Sequence, residues 1–324
     1  MAQAKNLSAW ASLQQRTRHG DSLFAFITLA FALLVVALVG VIGVVTWVNS
    51  TEARDKFGIS FLFQQGWNPV TGHFGALPAI YGTLISSLIA LVIAGPLGVM
   101  IGVFLSELCP LRLRTSLSFL VELLAAIPSV VYGMWGVFVL IPFFQTSVAN
   151  PVAGSIGQWL PFLGGPVSAR SLAAAGVVLA IMILPTIASI TRDVLAVVPS
   201  NQREAMLAVG ATQWETIRHA VLPYAQAGII GGMMLGLGRA LGETMAALMI
   251  IGSLKDRIEP SIFQASITSA SLVASELSNA NDELHESTLI LIALVLFVIT
   301  LLLNGLARFI VWRAGRGPVG SARA

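Results

Sequence analysis

Leu77-Pro-Ala-Ile-Tyr-Gly-Thr-Leu-Ile-Ser-Ser-Leu-Ile-Ala-Leu-Val-Ile-Ala-Gly-Pro-Leu-Gly-Val-Met-Ile-Gly-Val-Phe-Leu105 runs for 29 residues without a charged side chain. A helix needs ~20 apolar residues to cross the hydrocarbon core of a bilayer, so this stretch is long enough to span one. Comparable runs recur at about 23–48, 116–144, 169–192, 224–252 and 287–312. Six runs of this kind define an all-α, polytopic transmembrane helix bundle. Pro96, Pro128 and Pro185 lie inside the runs, which membrane helices tolerate better than soluble ones.

Composition supports the same solvent. Of 324 residues, 56% are hydrophobic and 10% charged, and the mean hydropathy is +0.86. A soluble domain carries roughly 25% charged residues to keep its surface wet. The net charge of +3 is too small to point to nucleic acid. Cys109 is the only cysteine, which leaves no intrachain disulfide and no multi-cysteine metal site. His19, His73, His219 and His285 are scattered and suggest no metal either. No cofactor is expected. The run from Leu23 to Val48 exceeds the ~7–15 residues of a signal-peptide core, so it reads as a retained first span after a polar segment 1–22.

Lysine and arginine set the orientation. With the N-terminus in the cytoplasm, twelve basic residues fall inside, including Arg112, Arg114, Arg192, Arg203, Arg218 and Arg308. Five fall outside, and Arg239 stays within a span. This bias predicts both termini on the cytoplasmic side of the membrane. The expected organisation is a transmembrane bundle over 23–313 and a tail at 314–324. The uncharged stretch 145–168 reads as a translocated loop, and Gly66-Trp67-Asn68-Pro69 as a turn in an external excursion over 49–76.

Two places carry functional signals. The polar loop at about 194–223 has helix-forming runs interrupted by Gly210, whose backbone freedom permits a sharp turn and hence a compact cytoplasmic knob. A docking knob and an ordinary amphipathic connector both fit that pattern. Within the fifth run, Arg239 and Glu243 are spaced i,i+4, and on a continuous helix they would share a face with Gly228, Gly232 and Gly236. Each charge costs ~2.5–3.5 kcal/mol at mid-membrane, so that face should look into the bundle or toward a second subunit. One reading makes the pair a structural lock. The other gives Arg239 to an oxyanion, since its planar fork of donors matches phosphate oxygens, with Glu243 able to take a proton from hydrogen phosphate but not from sulfate. Ser129 and Tyr132 are candidates to line the path, or simply to bond backbone freed by Pro128. Glu122 fits a partnered structural role as well as a transport one.

The loop resembles the signature of ABC-importer permeases: Glu-Ala-Ala, three residues, Gly, nine residues, Ile, one residue, Leu-Pro. The residues here are Glu204, Ala205, Met206, Gly210, Ala220, Leu222 and Pro223, with Met206 and Ala220 departing from the pattern. Leu235-Gly-Leu-Gly-Arg-Ala-Leu-Gly-Glu-Thr-Met245, Glu122-Leu-Leu-Ala-Ala-Ile-Pro-Ser-Val-Val-Tyr-Gly133 and the blocks Phe74–Pro78 and Tyr81–Leu84 resemble the phosphate-specific permeases, the PstC type more than the PstA type. The resemblance covers about 67–313. It implies a type I ABC-importer permease fold in the inner membrane and import of inorganic phosphate by alternating access. It further implies a homologous PstA-type permease, two PstB-type ATPase subunits and an external PstS-type phosphate-binding protein as partners. Glu204, Ala205, Gly210, Leu222 and Pro223 would then couple the chain to the ATPase. No Gly-x-x-x-x-Gly-Lys-[Ser/Thr] loop occurs, so ATP hydrolysis by that route belongs to another polypeptide. Permeases for sulfate, molybdate or phosphonate, and a self-contained channel or ion-driven carrier, are the competing readings.

Overall fold

The computed structural model describes residues 2–280 and 282–314, with the side chains of the first helix described from Asp21 onward. The expected tail therefore lies outside the described residues apart from Ala314. Six helical segments are long and apolar enough to cross a membrane: Asp21–Asn49, Leu77–Leu108, Ser129–Gly154, Leu172–Ala196, Gln213–Leu241 and Glu283–Phe309. The number matches the expectation from the sequence. Two sets of boundaries do not.

The first helix, α1 (Ala2–Asn49), leads into the excursion expected over 49–76. There α2 (Thr51–Phe57) and a 3-10 turn precede a two-stranded hairpin of β1 (Trp67–Asn68) and β2 (His73–Phe74). The hairpin turns at residues 69–72, so Trp67 and Asn68 enter the turn as strand instead of forming it. Phe74 stacks on His285 with ring centroids 5.3 Å apart, which ties the hairpin to the last span.

The second span is α3 (Leu77–Val103), followed by α4 (Leu111–Ala126) on the side where the basic bias puts Arg112 and Arg114. The third run of the sequence, 116–144, is divided. Ile127 and Pro128 are extended (ψ 129° and 139°), because a residue before proline is pushed out of the helical region. The third span begins only at α5 (Ser129–Trp135) and continues through α6 (Ile141–Phe144) and α7 (Asn150–Gly154). The stretch expected to form a translocated loop thus starts near 155 instead of 145.

Prolines also explain a recurring local feature. Four single π turns occur, at Phe104–Leu108, Gly136–Leu140, Gln145–Ala149 and Ile217–Val221. Each ends two residues before a proline: Pro110, Pro142, Pro151 and Pro223. Proline donates no hydrogen bond and its ring crowds the preceding turn; a widened turn relieves that crowding, and the helix runs on through Pro142, Pro151 and Pro223, whereas before Pro110 the backbone turns extended at Cys109.

The core is α8 (Leu172–Ala196), the most buried of the six spans. Ser171 caps it, its hydroxyl accepting from the Ala174 N–H at 3.3 Å. Glycines let two neighbours approach α8 closely. On the α3 side, a Cβ at Gly98 would sit 2.8 Å from Ile187, and one at Gly102 2.6 Å from Thr191. On the other side is α11 (Leu222–Leu241), where Gly228, Gly232 and Gly236 face Val194, Ile190 and Ile187 at 2.5–2.9 Å from the same hypothetical Cβ. Lipid supplies no hydrophobic drive between helices, so this close van der Waals contact is what holds them. The glycine face of the fifth run does look into the bundle, as expected, and its partner is α8. The last span, α14 (Glu283–Ala314), packs on α11 and α1.

Candidate functional site

The fifth run, read as one helix over 224–252, breaks in the middle. α11 ends at Leu241, Gly242 is its C-cap, and α12 (Met245–Ile250) starts after Thr244. This corrects the geometry expected for Arg239 and Glu243. The i,i+4 spacing puts two side chains on one face only while the helix continues. Gly242, poor at sustaining a helix, stands between them. Among the described residues no salt bridge joins the two. Arg239, in the last turn of α11, donates from Nη1 to Thr186 Oγ1 of α8 at 3.3 Å. Glu243 turns the other way, its Oε1 accepting the Ala246 N–H at 3.2 Å and closing the start of α12.

Tyr132 belongs to the same junction. It is 7% exposed and lies in one apolar cluster with Ile187 of α8, Ala240 of α11, and Ala246 and Ile250 of α12. Its hydroxyl donates to the Leu124 carbonyl at 2.8 Å, spanning the break at Pro128. Gly133 lets α5 lie against α12, where an added Cβ would meet Met249 Sδ at 2.8 Å. Ser129, in the first turn of α5, makes no hydrogen bond through its hydroxyl among the described residues. Arg239, Glu243 and Tyr132 are thus gathered where α5, α8, α11 and α12 meet. Thr186 joins them and was not singled out from the sequence, where one hydroxyl after Pro185 in an apolar helix carries little signal. Glu122 is elsewhere, 3.0 Å from Arg192 Nη1, in the partnered role that the sequence allowed.

The polar loop at about 194–223 folds as a compact knob. α9 (Ser200–Ala208) ends at Gly210, which adopts φ +87°, a left-handed conformation that L side chains resist. The Ala211 N–H reaches back to the Met206 carbonyl at 3.1 Å. α10 (Gln213–Thr216) then opens with a capping box between Thr212 and Glu215. Arg203 fixes the knob to the membrane helices. It binds both carboxylate oxygens of Glu107 at 2.7 and 3.1 Å, and the carbonyls of Leu195 and Val198 at 3.0 and 2.6 Å. Leu207, Val209 and Trp214 are 54%, 80% and 62% exposed, an apolar cap on a rigidly held lever. Glu204, Ala205 and Gly210 sit on that projecting part. Leu222 and Pro223 do not: they lie at the root, where the π turn Ile217–Val221 enters α11 and Leu222 packs near Val103 and Leu195. The five signature residues therefore divide between the projecting knob and its root.

Comparison with known proteins agrees with this architecture. The family model described as "Binding-protein-dependent transport system inner membrane component" matches residues 94–316. A Mesorhizobium japonicum protein named "Phosphate transport system permease protein PstC" is 46% identical over 297 residues, 90% of each chain. A Haemophilus influenzae protein of the same name is 43% identical, covering 90% of this chain and 93% of its own. Among solved structures, the inward-facing MetNI methionine ABC transporter superimposes with a TM-score of 0.51 at 20% identity, over 74% of this chain and 94% of the other. The fold is that of a type I ABC-importer permease, and the chain belongs to the binding-protein-dependent transport system inner membrane component family.

Proposed function

We propose that this chain is a permease subunit of an ATP-driven importer, moving inorganic phosphate across the cytoplasmic membrane by alternating access. The observation that carries the reading is Arg239: a half-buried guanidinium at an intramembrane helix break, bonded to one hydroxyl and to no carboxylate among the described residues. A charge so placed is expensive unless it meets an anion, and its remaining donors fit a phosphate. The second oxygen of Glu243 is not used by the Ala246 cap and can accept the proton of hydrogen phosphate. Tyr132 walls the site, and Ser129 offers a free hydroxyl on the approach from the α4–α5 break. The names of the relatives point to the same anion.

The knob fits the role of receiving force. ATP binding would close a pair of PstB-type ATPase subunits on Glu204, Ala205 and the apolar cap around Gly210. The motion would pass through Leu222 and Pro223 into α11, whose far end carries Arg239. A homologous PstA-type permease and an external PstS-type phosphate-binding protein complete the assembly in this reading. The basic bias supports both termini inside, with the bundle over 23–313 as the working unit. No covalent chemistry falls to this chain.

Radiolabelled phosphate uptake in cells with and without the chain tests the reading, with excess sulfate as competitor. Uptake that requires the chain, resists sulfate and comes with a copurifying ATPase is the expected result. Uptake blocked by sulfate would move the substrate to another oxyanion. Transport without an ATPase would replace the importer with a self-contained carrier.

A further inference from the structure

α11 and α14 diverge along part of their length and leave a groove of about 740 Å³. Ala227, Gly231 and Leu235 line it from α11, and Asn304, Arg308 and Trp312 from α14. Gly231 forms an open floor, since a Cβ there would meet nothing within 4 Å. Both walls are formed mainly by segments long and apolar enough to cross a membrane, which sets the groove at membrane depth. Its body is apolar and its rim is not. Arg308 has no hydrogen bond or ion pair among the described residues. Trp312 stands one turn beyond it, where an amphipathic ring suits the headgroup level.

An apolar trough at membrane depth, closed at one end by an aromatic ring and a cation with no partner among the described residues, has a narrow chemical complement: an apolar tail with an anionic head. We propose that this groove is a binding site for one anionic phospholipid. Its acyl chain lies along Gly231 and Leu235, and its phosphate group is held by Arg308. Basic recesses between spans on the cytoplasmic side are suited to acidic headgroups. The inference rests on the orientation proposed above, which puts the Arg308 end of α14 in the inner leaflet. A lipid held there touches the helix that links the knob to Arg239, so its occupancy bears on how that helix moves.

The test is native mass spectrometry of the purified transporter complex, equilibrated with equal amounts of phosphatidylglycerol and phosphatidylcholine of identical chains. Retained lipid should favour phosphatidylglycerol about five-fold, the value for one basic residue worth ~1 kcal/mol toward an acidic lipid. Arg308→Gln should bring that ratio close to one. Gly231→Leu should remove the retained lipid of both kinds, and because its side chain enters open space the complex should still assemble. An unchanged ratio in Arg308→Gln, or an unchanged lipid count in Gly231→Leu, would overturn the site. So would disulfide capture of Gly231→Cys by a cysteine on a neighbouring permease subunit (with Cys109 first replaced), since the groove would then be a subunit interface. Thiol labelling of Gln202→Cys from either side checks the orientation separately, so a failure of topology is distinguishable from a failure of the lipid site.

Discussion

The knob around Gly210 and the Arg239 junction are both built where a helix stops at a glycine, and they treat charge in opposite ways. In the knob, Arg203 is satisfied four times over by Glu107 and two carbonyls, and Glu215 closes a capping box. What the knob leaves open is apolar: Leu207, Val209 and Trp214. The junction reverses this arrangement. Its apolar surface is buried against α8 and α12, while Arg239 keeps most of its donors unused. A region whose charges are spent internally is suited to transmit force, and one whose charge is unspent is suited to meet a solute. In the proposed function the two ends of α11 divide the labour, and the variants below set one end against the other.

The largest stability effect is expected at the root of the knob. Arg203→Met strands Glu107, whose side chain is only 10% exposed, and should cost about 2–3 kcal/mol, below the full price of a buried charge because Arg203 is itself 26% exposed. Adding Glu107→Met should recover part of that loss, measured by thermal unfolding of the complex. No recovery would mean that the carbonyl contacts of Arg203, and not the ion pair, hold the knob. Gly210→Leu comes next. Forcing a side chain into φ +87° costs ~1–2 kcal/mol, and this should appear as about tenfold weaker ATPase capture while the spans stay folded. Normal capture and uptake would remove the argument for a coupling turn there. Thr212→Ala is the mildest, at ~1 kcal/mol for a lost cap, and should lower knob protection in hydrogen exchange while leaving the Arg239 end unchanged.

The legibility of these features from sequence follows the same division. Six spans could be read because length and apolarity are properties of composition, which packing does not alter. The division of 116–144 at Pro128 and of 224–252 at Gly242 could not. A proline or glycine inside an apolar run is compatible with a continuous membrane helix, as Pro96 in α3 and Pro185 in α8 demonstrate, so the residue alone does not say which outcome holds. The turn at Gly210 was readable because a polar loop gives glycine few other reasons to be there. Arg239 was conspicuous as a lone cation in a span. Its partner was not: helical periodicity nominated Glu243, four residues on, whereas the structure gives Thr186, distant by 53 positions on another helix. Periodicity describes one helix face, and contacts between helices lie beyond it.

The central claim is that Arg239 meets the transported anion and is not one half of a structural pair. The most direct measurement is phosphate uptake by Arg239→Gln, with assembly followed in parallel by ATPase copurification and thermal unfolding. Because among the described residues Arg239 bonds only Thr186 and strands no carboxylate when removed, the variant should assemble and unfold like the parent within about 1 kcal/mol, the worth of one hydrogen bond. Its uptake should nevertheless fall to background. Parent-level uptake by a well-assembled Arg239→Gln complex would contradict the account and leave Arg239 with no part in transport.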